Sequence, residues 1–138
     1  MGKLEGKVAI VTGASRGIGS AIAQRFAAEG AHVACLARTL EEGDHASLEG
    51  SLHTTVRAIE QAGGRALAIA CDVSDYEACA RAVVETRKAF GPIDVLVNNA
   101  ALTYFIPVAE FPHEKWLKSF AVNVHGPFFM SRLVLDEM

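Results

Sequence analysis

The sequence predicts an α/β fold, a doubly wound parallel sheet with helices on both faces. Short apolar runs rich in Val and Ala lack the alternation of a half-exposed strand, as expected for strands covered on both faces. Each run is followed by apolar residues at helical spacing, and glycine follows most of these helical segments. This alternation implies parallel strands joined by right-handed crossovers.

Four strands are predicted, with a helix between each pair. The strands are expected at residues 7–12, 32–37, 65–71 and 93–97. The helices are expected from Gly17 to Glu29, from Leu52 to the glycines at 63 and 64, and from Ser74 to Gly91. A glycine-rich loop follows the first strand, and right-handed crossovers around that point give the strand order 3-2-1-4.

Local patterns add three expectations. Ser74 and Glu77 have the spacing of a capping box, which predicts that Ser74 caps the third helix. The polar stretch 39–50 predicts a surface loop. Trp116, Phe120 and Val124 recur every four residues and predict a further helix, which Gly126-Pro127 should break or kink.

Composition indicates one globular domain. The chain has 138 residues, of which 51% are hydrophobic and 21% charged. A net charge of -3 argues against nucleic acid as the main partner. No apolar run approaches the ~20 residues that span a bilayer, and the first residues contain no apolar signal segment. We therefore expect a cytoplasmic protein that does not bind membranes.

The cysteines and histidines predict neither disulfides nor a metal site. Cys35, Cys71 and Cys79 are odd in number and irregularly spaced, which fits neither a disulfide framework nor a zinc site. We expect them to be buried thiols. The five histidines include no His-x-x-His pair, so no metal is expected.

The loop after the first strand, residues 12–19, reads Thr-Gly-Ala-Ser-Arg-Gly-Ile-Gly. Glycines in such a loop allow a tight turn, close approach of backbone N–H groups to a pyrophosphate, and close helix packing. The following helix directs its positive end at the anion. The spacing differs from the Gly-x-Gly-x-x-Gly fingerprint, so spacing alone leaves a structural glycine turn open. The position between strand and helix favours dinucleotide binding.

This loop resembles the cofactor loop of the short-chain dehydrogenase/reductase family. Further motifs of that family follow in order: Asp72-Val73 after the third strand, Asn98-Asn99-Ala100-Ala101 after the fourth, and Val122-Asn123-Val124 in the next long helix. The resemblance covers the whole chain, and residues 38–64 are more distantly similar to hydroxysteroid-dehydrogenase-like members. It implies that residues 1–138 form one Rossmann-type nucleotide-binding domain that lacks the C-terminal strands of the family fold.

The resemblance also implies cofactor contacts at particular residues. The pyrophosphate and ribose would be lined by Gly13, Gly17, Ile18 and Gly19. The adenine would be contacted by Asp72 and Val73. Beside the cofactor ribose would lie Asn99 and Ala100. Ala101 stands where the family usually has glycine, which narrows the site there by one methyl group.

The end of the second strand favours NADP(H) over NAD(H). NAD-dependent members place an acidic residue there to bind the ribose hydroxyls. Here Ala37 takes that place and Arg38 follows, while Ser15 and Arg16 lie in the glycine loop. Two guanidinium groups and a hydroxyl suit a 2′-phosphate. The alternative is that both arginines are solvated surface charges.

The residues that carry the family's chemistry are absent from this sequence. The family uses a Ser and a Tyr-x-x-x-Lys unit after a fifth strand, with Tyr as general acid/base. Neither Tyr76 nor Tyr104 is followed by Lys four residues later. Only Asn123 matches a catalytic position, that of the asparagine that holds a water in the proton relay. We expect a non-catalytic N-terminal part of an enzyme that acts on a carbonyl or alcohol and assembles as a homodimer or homotetramer.

Two other functions and one local ambiguity stay open. The chain could be a naturally short, non-catalytic NADP(H)-binding module or subunit. It could also belong to another Rossmann class such as the sugar-nucleotide epimerases, although their Gly-x-x-Gly-x-x-Gly spacing differs from that of Gly13, Gly17 and Gly19. The apolar loop 102–107 could line a substrate pocket or pack on its own domain.

Overall fold

The structure, a computed structural model, describes residues 2–38 and 51–138. Four strands form one sheet: β1 Val8–Thr12, β2 His32–Ala37, β3 Arg65–Ala70 and β4 Val95–Val97. Their order is β3-β2-β1-β4 and every pairing is parallel, which confirms the predicted topology. The segment 39–50, predicted as a surface loop, lies outside the described residues.

Helices cover both faces of the sheet. They are α1 Gly17–Ala28, α2 Leu52–Gln61, α3 Tyr76–Phe90, α4 His113–Phe120 and α5 Gly126–Val134, with short 3-10 turns at Val108–Glu110 and Leu135–Glu137. Successive strand residues point to opposite faces. Val11 therefore packs with α1 and α2, whereas Ile10 packs with α3 and α5. Two core layers result, which explains why the strands are apolar without alternation.

Strand β4 is shorter than the predicted 93–97. Ile93 is fully buried, but the next residue, Asp94, uses its side chain in the pairing. The Val8 N–H donates to the Asp94 carboxylate at 2.9 Å, and the Asp94 N–H donates to the Val8 carbonyl at 2.9 Å. A carboxylate thus replaces a strand carbonyl, and the regular ladder begins at Val95.

The N-terminal cap of α3 is Asp75, so the prediction that Ser74 caps this helix was wrong. The Asp75 carboxylate accepts hydrogen bonds from the N–H groups of Glu77 and Ala78. The Ser74 hydroxyl instead donates to the Asp72 carboxylate at 2.6 Å. Ser74 is therefore held in the turn before the helix, and Asp75 caps the helix.

Gly126-Pro127 does not break the helix that precedes it. The backbone stays helical from α4 to α5 through a π turn at Ala121–His125, where the Gly126 N–H donates to the Ala121 carbonyl. Pro127 has no N–H to donate to the carbonyl of Asn123, four residues earlier, and the helix accommodates this by widening one turn. Gly126 itself packs against Val73, whose Cγ2 would lie 2.8 Å from an added Cβ.

All three cysteines are buried, as predicted, and none is in a disulfide. Burial raises the pKa of the Cys35 thiol to about 12. The hydrogen bond with Cys79, together with burial, raises the pKa of the Cys71 thiol. Cys35 and Cys71 therefore remain protonated near neutral pH.

Residues 2–38 and 51–138 contain neither a helix suited to cross a bilayer nor a cluster of metal ligands. None of the helices described there combines the length and the apolar character that a bilayer crossing requires. The same residues contain no group of three or more histidine, cysteine, aspartate or glutamate side chains placed to hold a metal ion.

Candidate functional site

The loop between β1 and α1 depends on glycine at three positions. Gly13 has φ +67°, and an added Cβ would lie 2.9 Å from the side-chain amide of Asn99. At Gly19 an added Cβ would overlap the Gly13 carbonyl oxygen, so the first turn of α1 touches the loop. At Gly17, with φ +55°, no described atom lies within 4 Å of an added Cβ. Gly13 and Gly19 therefore allow close packing within the protein, whereas Gly17 faces open space.

The N-terminus of α1 is uncapped by any side chain that the structure describes. By contrast, Ser51 caps α2 and Asp75 caps α3. The first turn of α1 carries no acidic residue either, so neither a cap nor a carboxylate offsets the partial positive charge of its N–H groups. This end of α1 suits a bound anion.

Thr12 joins the glycine loop to the segment after β4, a role the sequence analysis missed. Its hydroxyl accepts from the N–H groups of Asn99 and Ala100, each at 3.0 Å, and contacts the Val97 carbonyl at 3.3 Å. The Asn99 side chain in turn donates to the Gly13 carbonyl at 3.2 Å. A lone threonine at the carboxyl end of an apolar strand is the signal that could have indicated this role.

A cleft of about 350 Å³ opens at the carboxyl ends of β1, β2 and β4. Its described walls are Gly13, Ser15, Arg16, Gly17, Ile18, Ala37, Arg38, Asn99, Ala100 and Ala101. Most residues predicted to bind the cofactor are therefore brought together, although their contacts with it stay predictions. Gly19 lies behind the loop, and Asp72 and Val73 follow β3 outside the cleft walls.

A larger cavity of about 570 Å³ lies at the opposite ends of β2 and β3, where the strands begin. It is lined by the ends of α1 and α2 and contains none of the residues predicted to bind a cofactor. Open parallel sheets bind their ligands at the carboxyl ends of the strands. The smaller cleft at the glycine loop is therefore the candidate site.

Asp72 is an anion near the cationic side of this cleft. Burial alone would raise the pKa of its carboxyl group, but hydrogen bonds from the Ser74 hydroxyl and N–H lower it, as do the charges of Arg38 and Lys118. The net pKa lies below the ordinary value of 3.8. Asp72 is therefore ionised at neutral pH and attracts the exposed Arg38 side chain.

Asn123 lies in the π turn and holds the segment that follows β4. Its side-chain oxygen accepts from the Leu102 N–H, and its side-chain nitrogen donates to the Leu102 carbonyl, both at 2.8 Å. Asn98 makes a second link, to the Ser131 hydroxyl on α5 at 3.4 Å. These bonds fix one wall of the site, and the predicted role of Asn123 in a proton relay stays a prediction.

Comparison with known proteins assigns the chain to a family. A family model described as short chain dehydrogenase matches residues 7–138. The chain belongs to the short-chain dehydrogenase family. This confirms the resemblance that the glycine loop and the three later motifs indicated.

Relatives in the short-chain dehydrogenase family match nearly all of this chain. A short chain dehydrogenase of Pseudocercospora fijiensis is 40% identical over 139 residues, covering 99% of this chain and 42% of the relative. Hydroxysteroid dehydrogenase-like protein 2 of Xenopus tropicalis is 40% identical over 137 residues, covering 99% of this chain and 32% of that protein. The second match agrees with the more distant similarity predicted from residues 38–64.

Solved structures of short-chain dehydrogenases share the fold. One from Mycobacterium thermoresistibile gives a TM-score of 0.92 at 40% identity, covering 99% of this chain and 48% of that one. A metagenomic short-chain oxidoreductase in complex with NADP gives 0.87 at 39% identity, covering 98% and 57%. This chain thus spans between 32% and 57% of the length of these four relatives.

Proposed function

We propose that this chain is the cofactor-binding part of an NADP(H)-dependent oxidoreductase, in which hydride passes between the nicotinamide and a carbonyl or alcohol. The observation that carries the proposal is the cleft at the carboxyl ends of β1, β2 and β4. It combines the glycine loop, the uncapped end of α1 and the Arg38 side chain in one place.

The geometry of the loop fits a dinucleotide. Gly17 and the exposed Ile18 border open space at the start of α1, where N–H groups can approach a pyrophosphate closely. Asn99 and Ala100 lie across the cleft and are held to β1 by Thr12. When bound, the nicotinamide supplies the hydride chemistry, and the residues of this chain bind and orient the dinucleotide.

Charge on the cleft walls favours NADP(H) over NAD(H). Arg16 and Arg38 both line the cleft, and none of the described residues that line it is acidic. Ala37, at the end of β2, cannot bind the two ribose hydroxyls as a carboxylate would. Arginine binds phosphate through paired charge-assisted hydrogen bonds. The solved relative described as an NADP complex supports the same choice for this chain.

Proton transfer requires residues that these 138 positions do not include. The family's Ser and Tyr-x-x-x-Lys unit would have to come from a further part of the protein, and Asn123 would hold a relay water beside it. A short NADP(H)-binding module without turnover is the second candidate. Sequencing the gene beyond codon 138 and assaying its full-length product with a panel of carbonyls separates the two.

Exposed apolar side chains on α4 and α5 support a homodimer or homotetramer of the complete protein. Trp116 is 53% exposed and Phe128 60% exposed, well beyond what large apolar residues in a core show. We further propose that the complete protein acts on a carbonyl or alcohol substrate in the cytoplasm.

The test of the proposed cofactor is a binding titration. We expect binding to the full-length product of the gene to change the fluorescence of NADPH, with a dissociation constant at least about tenfold lower than for NADH, because the 2′-phosphate adds a charge-assisted contact. Equal affinity for the two would refute the NADP(H) assignment. Binding of neither would refute the proposed function.

A further inference from the structure

Thr55, on α2, is bonded to the glycine loop. Its side chain is 1% exposed, and its hydroxyl donates to the backbone carbonyl of Ala14 at 2.8 Å. Ala14 is fully buried and lies in the middle of the loop between β1 and α1. A side chain from a separate helix, 41 residues away in sequence, therefore holds one peptide group of the loop.

The single hydrogen of the Thr55 hydroxyl fixes the direction of its second hydrogen bond, the one with Ser20. The Thr55 hydroxyl has one hydrogen, and the Ala14 carbonyl can only accept it. The Ser20 hydroxyl, 2.9 Å from that of Thr55, must therefore be the donor between the two. The Gln24 side-chain amide donates to Ser20 at 3.1 Å. Three hydrogen bonds thus run in series from Gln24 and Ser20 on α1 through Thr55 on α2 to the loop. Hydrogen bonds in such a series polarise and strengthen one another.

The same loop residue is fixed on its other side by the sheet. The Ala14 N–H donates to the Leu36 carbonyl of β2 at 3.1 Å. Both polar groups of this peptide residue are therefore used, one by β2 and one by α2. The residues that face the cleft, Gly17 and Ile18, follow within one turn. Their position depends on that of Ala14, because the intervening chain is too short to absorb a shift.

A second buried threonine shows what an ordinary helical threonine does. Thr86 is fully buried in α3, and its hydroxyl donates to the Ala82 carbonyl of its own helix at 2.8 Å. That bond to the carbonyl four residues earlier is the usual local choice of threonine. Thr55 makes a long-range bond instead, and its acceptor is in the candidate site.

We propose that Thr55 is a positioning residue for the dinucleotide, which holds the glycine loop where its N–H groups meet the pyrophosphate. The inference rests on the proposed function and adds a residue outside the cleft to it. Without the Thr55 hydroxyl, the buried Ala14 carbonyl has lost its donor, and the loop moves to regain one. Thr55 touches neither the cleft nor the reacting atoms and acts through Ala14.

The test compares three variants of the full-length gene product. Thr55→Val keeps the shape and removes the hydroxyl, Thr55→Ser restores it, and Thr86→Val is the matched control that removes a buried hydroxyl elsewhere. We expect Thr55→Val to weaken NADPH and NADH binding by about three- to tenfold. Thr55→Ser and Thr86→Val should stay within about twofold. In turnover, KM for the cofactor should rise while kcat at saturating cofactor is unchanged.

A second measurement does not depend on the cofactor. Amide hydrogen exchange of the peptide covering residues 13–20 should be faster in Thr55→Val than in Thr86→Val. If Thr55→Val does not fold, Ser20→Ala removes the donor to Thr55 from a partly exposed site, and the deciding measurement is then loop exchange, which should be faster in Ser20→Ala than in Thr86→Val. Unchanged binding and unchanged loop exchange in Thr55→Val, or equal losses in Thr86→Val, would overturn the inference. Unaltered protein that binds neither nucleotide refutes the proposed function instead, and the loop exchange still decides whether Thr55 holds the loop.

Discussion

The backbone N–H of Asn99 donates to the hydroxyl of Thr12 over 3.0 Å, and this bond joins the carboxyl ends of β1 and β4. Thr12 is 1% exposed, and its hydroxyl also accepts a hydrogen bond from the Ala100 N–H at the same distance. One hydroxyl on β1 thus fixes two adjacent residues of the opposite cleft wall. A valine of the same shape would leave both N–H groups without this acceptor.

We therefore expect Thr12→Val to lower the free energy of unfolding by about 1–3 kcal/mol, because the Ala100 N–H loses its acceptor and the Asn99 N–H keeps only its bond to the Val97 carbonyl. Thr12→Ser keeps the hydroxyl and should recover most of this loss. Urea unfolding of the two variants and the unaltered protein measures the difference. A loss in Thr12→Ser as large as in Thr12→Val would mean that the methyl group, and not the hydroxyl, matters.

Arg38→Leu should weaken NADPH binding about tenfold to a hundredfold and leave NADH binding nearly unchanged, since a charge-assisted contact contributes about 1.5–3 kcal/mol. Fluorescence titration with both nucleotides measures the change. Arg81→Leu, at an exposed position on α3, is the control for loss of one positive charge. If Arg38→Leu weakens both nucleotides equally, Arg38 supports the loop and does not bind the phosphate.

Gly19→Ala and Gly63→Ala should have different effects. At Gly19 the added methyl would meet the Gly13 carbonyl, so the loop must shift, and we expect both nucleotides to bind at least about tenfold more weakly. Gly63 ends α2 with φ +89° and has no described atom near its added Cβ, so Gly63→Ala should cost only about 1 kcal/mol of stability through backbone strain. Calorimetry and nucleotide titration of both variants test this. Unimpaired binding by Gly19→Ala would contradict the close contact.

Asp72 should make stability depend on acid pH. Its pKa in the folded chain lies below the ordinary value of 3.8, so the ionised form favours folding. This contribution is complete above pH 3.8 and is lost as the pH falls through the lower pKa of the folded state. Asp72→Asn should therefore show a shallower loss of stability in acid, and Ser74→Ala, which removes the hydroxyl donor, an intermediate one. Identical acid profiles in all three proteins would exclude this role.

The strand order could be predicted because apolar runs and right-handed crossovers leave few topologies. The cleft could be predicted because its loop is contiguous in sequence. Thr12 and Thr55 were missed for the opposite reason: their partners are distant in the chain, and a threonine looks the same whether it bonds locally or across the fold. The cap of α3 was misplaced by one residue because Ser74 and Asp75 are both good caps, and the Asp72 carboxylate decides between them. Gly126-Pro127 predicted a break or a kink in the helix, but not the π turn, because packing of Gly126 against Val73 cannot be inferred from sequence spacing.

The side-chain register of β1 limits which gene changes this fold can accept. Val8 and Ile10 enter one core layer, Val11 the other, and Thr12 then meets Asn99. Inserting or deleting a single residue in this strand would exchange the two layers and remove Thr12 from its partners at once. A substitution in β1 removes only the contacts of one side chain. An insertion or deletion of one residue removes the packing of both core layers and the hydrogen bonds of Thr12 together. In a library of random insertions and deletions, survivors should therefore carry none between residues 8 and 12.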